Sequence, residues 1–157
     1  GTGPELAALR AQAQRLGIVD RVRFLGAVDH AELAALFRRA ALAVVPSVVA
    51  ADGDQEGFGL VIVEAMGCGC PVIASRLPAI DDIARDGETA LLVPPGDAAA
   101  LAQAIAAVLD DPAAATRRAA AARTQALARF DWQPITQRYA ALLGRLASRP
   151  QSPTLRG

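Results

Sequence analysis

Cysteine, histidine and aromatic residues are scarce in this sequence, and net charge is absent. The only cysteines are Cys68 and Cys70, and the only histidine is His30. A four-ligand zinc site built from protein alone is therefore excluded, since the histidine lies far from the cysteine pair in sequence. The C-x-C pair inside GCGCP can be read as metal or redox chemistry, or more plainly as two small core residues in a reducing compartment. Lys and Arg together number 16, as do Asp and Glu. A balanced chain gives no electrostatic footprint for nucleic acid or an anionic membrane. No uncharged apolar run reaches the roughly 20 residues needed to span a bilayer, because Glu64 and Pro71 interrupt the most hydrophobic stretch. No secretory signal heads the chain, and a cytoplasmic location is expected.

What is present is an aliphatic core. Hydrophobic residues make up 53% of the 157 positions and aromatics only 4%, one domain's worth of chain with little ring packing. Gly1 and Gly3 read as a strand-to-helix turn whose strand is missing, so residue 1 is expected to be a truncation point inside a larger domain. Pro4 suits a first helical turn and Gly17 a helix stop. A short strand is expected at VRFLG (Val22 to Gly26). Asp29 caps a helix through Arg39 with Leu33, Leu36 and Phe37 on one face, and His30 is an exposed helix-start residue. LAVVPS reads as a buried strand ending at Pro46-Ser47. A loop leads to a helix from about Phe58 to Met66, stopped by Gly67 or Gly69. PVIAS is a strand, Ile80 to Arg85 a short helix ended by Gly87, and ALLVPPG a strand and turn. Asp97 caps a helix to Leu109, Asp111-Pro112 starts another, and Asp131 caps a last one. The Ala-rich stretch 113–128 reads as merely helical. The partial domain is expected to cover residues 1–148, with residues 149–157 a disordered tail.

Strands that alternate with helices, and that are β-branched without polar alternation, predict an α/β fold: a Rossmann-like parallel sheet with helices on both faces. Ligands in such sheets sit at the carboxyl ends of strands. Ser47 and the Gly57-Phe58-Gly59 turn fall at such ends. The following helix start offers free N–H groups and a positive dipole end, and glycine lets the backbone approach a phosphate closely. Two acids flank this cradle. Glu64 lies five residues beyond Gly59, about 7 Å along a helix, where a carboxylate can accept two hydrogen bonds from a ribose diol. Glu56 lies on the other side of the turn.

The string Glu56-Gly57-Phe58-Gly59 through Glu64-Ala65-Met66, followed by GCGCPVIAS, resembles the C-terminal domain of retaining glycosyltransferases of family 4 (group 1), which have the GT-B fold. Their signature is two glutamates separated by seven residues. GTGP, RVRFLGAV, LAVVPS, DGETALLVPPGD, LAQAIAAVLDDP and FDW follow the family's landmarks in order. The resemblance implies a donor-binding domain whose parent enzyme transfers a hexose from a nucleotide-diphosphate sugar with retention. It implies that Glu64 holds the ribose, that Glu56 lies near the donor hexose as the catalytic position, and that Ser47 and Pro46 line the nucleotide pocket. The N–H groups of Phe58, Gly59 and Leu60, beside Gly57, would hold sugar hydroxyls or phosphate. No metal and no cofactor are implied, the nucleotide sugar being a substrate. Asp52-Gly53-Asp54 could be a metal-binding Asp-x-Asp, or simply a turn. The partners implied are a nucleotide sugar and a glycan or lipid-linked acceptor held by a missing N-terminal domain, with room for peripheral association at the inner face of the membrane.

Two departures from the family stand out. Pro78-Ala79 and Asp82 replace a common Gly-Gly and Glu, and Ala90 replaces a common glycine. The family's phosphate-binding Arg and Lys have no match here, so the chain alone is expected to lack transfer activity. A non-catalytic or degenerate nucleotide-sugar-binding module stays open as the alternative. A dehydrogenase reading fails, because GTGPEL lacks the last glycine of the dinucleotide fingerprint and a preceding strand.

Overall fold

The structure is a computed structural model and describes residues 2–147. The expected tail at 149–157 lies outside the described residues. The described chain divides into two compact units, residues 2–36 and 37–147.

In the first unit, a turn at Gly3 leads into α1 (Leu6–Arg15), with Leu6 N–H donating to the Gly3 carbonyl at 3.2 Å. Pro4 thus sits just before the helix rather than in its first turn. The helix ends in a Schellman motif, in which Gly17 N–H donates to Gln14 O and Ile18 N–H to Ala13 O, both at 3.0 Å. Gly17 takes φ 65°, as this motif requires. A single 3₁₀ turn, Val19–Arg21, follows. The strand expected at Val22 to Gly26 does not form. Val22 is extended (φ −117°, ψ 121°), but the first unit holds no second strand to complete a ladder. Propensity for extended backbone becomes a strand only where a partner accepts its hydrogen bonds. Phe24 instead lies under the Arg10 guanidinium, 5.5 Å from the ring centre. Helix α2 (His30–Arg39) starts as the sequence predicts: Asp29 Oδ1 accepts the Glu32 N–H at 2.8 Å, and His30 is exposed.

The second unit holds a three-stranded parallel sheet in the order β1-β2-β3, where β1 is Ala43–Val45, β2 Val72–Ser75 and β3 Leu91–Val93. Val44 pairs with Ile73, and Ala74 with Leu92. Between the strands run α3 (Leu60–Gly67) and α4 (Pro78–Asp81), and after them α5 (Ala98–Asp110), α6 (Pro112–Phe130) and α7 (Trp132–Ala147). The short helix expected from Ile80 to Arg85 begins two residues earlier, at Pro78. The fixed φ of proline suits a first helical position, and Ile83 and Ala84 close the end as a turn. Asp97, Asp111 and Asp131 cap as expected, accepting from Ala100, Ala114 and Gln133 at 2.9, 2.8 and 2.9 Å.

Strand alternation sorts the core into two faces. Val72, Ala74 and Leu92 point to one side, where they pack with Ile62, Ala65, Met66, Ile80 and Ile83 and with Ala122 and Ala126 of α6. Ile73 and Val93 point to the other side, with Leu101, Val108 and Ala115. Helices therefore cover both faces, as the non-alternating strands predicted. Central β2 is buried at every position, whereas β1 is only half-buried, contrary to the buried strand expected: Ala43 and Val45 pack at the margin of the first core cluster, and Val44 belongs to neither cluster.

Cys70 belongs to this core and Cys68 lies half-buried at the end of α3. Burial, and then the neighbouring Cys68, raise the Cys70 thiol above its ordinary pKa. A thiol-specific reagent at neutral pH is accordingly expected to label Cys68 first and Cys70 only on unfolding. Mass mapping of the alkylated peptide under native conditions checks this, and equal labelling of the two would contradict the packing.

Candidate functional site

The loop after β1 carries Ser47, half-buried two residues beyond the last strand position, and ends at α3. Within it, Asp52 and Asp54 form a local turn. Asp52 Oδ1 accepts the Asp54 N–H at 3.1 Å, and Ala50 N–H donates back to the Asp54 carbonyl at 2.7 Å. The Asp-x-Asp is thus used as turn chemistry, and among the described residues no three metal-ligating side chains converge.

The helix begins at Leu60, not at Phe58, because Gly59 takes the left-handed conformation (φ 78°, ψ 41°) as its N-cap residue. Gly59 is also buried against the core. A Cβ there would stand 2.7 Å from Ile80 Cδ1 and 2.9 Å from Ile83 Cδ1. Positions 62, 65 and 66 of α3 face inward, and positions 60, 61, 64, 67 and 68 form the outer, less buried face. The helix ends in a second Schellman motif, with Gly69 N–H donating to Met66 O at 2.9 Å and Cys70 N–H to Ala65 O at 3.0 Å. Gly69, with φ 76°, is therefore the stop rather than Gly67.

Glu56 occupies the start of this helix. Its Oε1 accepts the Gly59 N–H at 2.7 Å and the Phe58 N–H at 3.1 Å. These bonds, the one from Gly59 foremost, hold the carboxyl below its ordinary pKa, against a smaller opposing effect of burial. Two of the three N–H groups expected to meet a ligand are therefore engaged by the protein's own carboxylate. The intrahelical ladder starts only with Ile62 N–H on Gly59 O at 2.9 Å, which leaves the N–H groups of Leu60 and Val61 at the open end of the helix. Glu64 lies one turn beyond Leu60 on the same outer face and is half-buried. The structure thus places both acids and the Gly57-Phe58-Gly59 turn on one βα connection at the carboxyl end of β1.

Glu56→Gln tests the local electrostatics. A depressed carboxylate pKa means a stabilising contribution that is present above the unfolded value of about 4.3 and lost as pH falls through the lower folded value. Wild-type stability in urea is expected to fall across that acidic window, and the variant's to fall less. Parallel curves for the two proteins would show that the N–H groups do not hold the charge.

Sequence reading missed the support of this loop. Phe58 meets Phe130 edge-on, with ring centres 5.8 Å apart and planes at 86°. Gln125 Nε2 donates to Ile83 O at 2.7 Å, and Arg129 Nη1 to Asp82 O at 2.8 Å. Helix α6 thereby fixes the turn that presses Ile80 and Ile83 against Gly59. No local signal marks these residues, since their partners lie more than 40 positions away in sequence.

Comparison with known proteins fits this architecture. The family model described as "Glycosyl transferases group 1" matches residues 1–125. The chain is 42% identical over 135 residues to a glycogen synthase of Mycobacterium tuberculosis, covering 86% of this chain and 31% of that one. It is 44% identical over 135 residues to a phosphatidyl-myo-inositol mannosyltransferase of Mycobacterium leprae, covering 86% and 34%. Among solved structures, HepE of Anabaena in complex with UDP superposes with a TM-score of 0.80 at 34% identity, over 89% of this chain and 36% of that one. HepE has also been solved with UDP-glucose. The chain spans about a third of the length of the curated relatives it matches. With the parallel sheet, the covered faces and the family match in agreement, this chain is a member of the glycosyl transferases group 1, with the fold of the C-terminal half of a GT-B glycosyltransferase.

Proposed function

We propose that this chain is the nucleotide-sugar-binding half of a family 4 hexosyltransferase that works with retention in the cytoplasm, at the inner face of the membrane, on a bacterial glycan or lipid-linked acceptor. One observation carries the reading: two glutamates flank a helix start at the carboxyl end of a parallel strand, around a glycine whose conformation no other residue adopts readily. The relatives support it, since HepE holds UDP-glucose and the mycobacterial proteins are named as glycosyltransferases. In this reading Glu64 accepts the ribose hydroxyls, and Ser47 and Pro46 line the nucleotide. The N–H groups of Leu60 and Val61 meet the diphosphate or sugar. Glu56 stays beside the hexose as the catalytic position. No metal is needed, because the helix end and residues of the rest of the enzyme take the charge of the diphosphate.

One observation favours the degenerate alternative. The Phe58 and Gly59 N–H groups already carry the Glu56 carboxylate, so a donor that needs them must first displace it. Ligand-observed NMR of the folded chain with UDP-, GDP- and ADP-sugars decides between the two. Binding by one donor, lost in Glu64→Ala without loss of fold by circular dichroism, is expected. Removal of a bidentate charged acceptor should weaken that binding by about tenfold or more. No binding here, and none in an upstream-extended chain, would leave the degenerate module as the reading.

A further inference from the structure

The turn that carries Glu56 has few ties to the rest of its unit. No hydrogen bond between backbone groups of the described residues involves positions 55–58. The Glu56 carboxylate binds the Phe58 and Gly59 N–H groups, but all three residues belong to the turn itself. At Phe58 the outward tie is the ring, which is 48% exposed and meets Phe130 edge-on. Phe130 is fixed where Phe58 is not. It ends α6, is half-buried and packs against the first core cluster. The Arg129 guanidinium lies 5.1 Å from its ring centre, and the same arginine donates to the Asp82 carbonyl. Of two rings in contact, the anchored one sets the place of the other. An edge-to-face pair has a preferred geometry that an aliphatic side chain does not reproduce. The Phe58 and Gly59 N–H groups converge on one oxygen, Glu56 Oε1, so a displaced Phe58 takes its N–H out of line and loosens the carboxylate.

We infer that Phe130 is a positioning residue for the donor site: its ring holds Phe58, and through Phe58 the Glu56 carboxylate and the start of α3, in the arrangement that receives the donor. The inference rests on the donor-site reading given above.

Amide proton shifts and hydrogen exchange of the ¹⁵N-labelled chain read the turn without any ligand. In Phe130→Leu, protection at the Phe58 and Gly59 amides is expected to fall several-fold to about tenfold, the worth of one aromatic pair. Their protons should move upfield as the charge-assisted bonds weaken, while the Ile73 and Val93 amides of the sheet keep their protection. Phe58→Leu, which removes the partner ring, should reproduce the loss at Gly59. Phe130→Tyr keeps the ring and should behave as wild type. Trp132→Ala, two residues on and 76% exposed, should change neither amide. A UDP-, GDP- or ADP-sugar that binds the wild-type chain should bind Phe130→Leu several-fold more weakly and Phe130→Tyr equally well. Unaltered Phe58 and Gly59 amides in Phe130→Leu, a loss spread evenly over the sheet, a loss that Phe130→Tyr shares, or tighter donor binding in Phe130→Leu would overturn the inference. If the wild-type chain binds no donor, the donor-site reading fails, and the amides still decide whether Phe130 positions the turn.

Discussion

Gly59→Ala is expected to destabilise the second unit by about 2–5 kcal/mol, from roughly 1–2 for an L-residue held in the left-handed region and roughly 1–3 for overpacking. The two contributions act together because the residue is pinned from both sides. Its φ of 78° starts the helix, and an added Cβ would meet the Cδ1 atoms of Ile80, Ile83 and Ile62 at 2.7, 2.9 and 3.4 Å. Those ends belong to side chains that are 1%, 2% and 0% exposed, so moving them aside means repacking the core. Urea denaturation with an unchanged slope is the measurement. Ile80→Val and Ile83→Val remove the two nearest Cδ1 atoms. Combined with Gly59→Ala they should recover the packing part and leave the conformational part, which a double-mutant cycle separates. Gly57→Ala is the control. Its φ is not positive and an added Cβ would find nothing within 4 Å. A change within about 0.5 kcal/mol is expected there. A loss below about 1 kcal/mol for Gly59→Ala would mean that the helix start can rearrange, and that the cradle is not pre-formed.

Ala122→Leu is the second large effect, a loss of about 1–3 kcal/mol. Helix α6 buries Ala115, Ala119, Ala122 and Ala126, spaced by four, three and four residues, so that one alanine stripe faces the core. Ala122 is fully buried in the cluster that holds Ile62, Ala65 and Met66 of α3. A leucine there drives the two helices apart, and the displacement carries Gln125, Arg129 and Phe130 away from the turn and the loop they hold. The expected result is therefore double: lower stability, and loss of protection from hydrogen exchange at the Phe58 and Gly59 amides. Ala121→Leu, on the exposed side of the same helix, should change neither. If the exchange at those two amides is unaltered in Ala122→Leu, the loop does not depend on α6.

Most of the order of elements from Asp29 onward was legible in the residues alone. Aspartates at 29, 97, 111 and 131 announced four helix starts because their side chains satisfy N–H groups that any helix leaves open, a local demand that distant packing does not change. Non-alternating apolar runs announced a sheet covered on both faces for a similar reason. The two acids around Gly57-Phe58-Gly59 were legible, with their resemblance to the group 1 signature. Other features depend on contacts between residues far apart in the chain, and these emerged only on folding. VRFLG starts with extended backbone at Val22 but is no strand, since a strand exists only with a partner. The alanine run that reads as helix propensity alone proved to be the surface on which α3 packs, because burial depends on which face meets a neighbour and not on composition. Gly59 needed a core to show why it must be glycine. Glu56 needed a folded turn to bring its carboxylate onto the N–H groups of the residues that follow it, and there the backbone path, rather than the residue type, set its place.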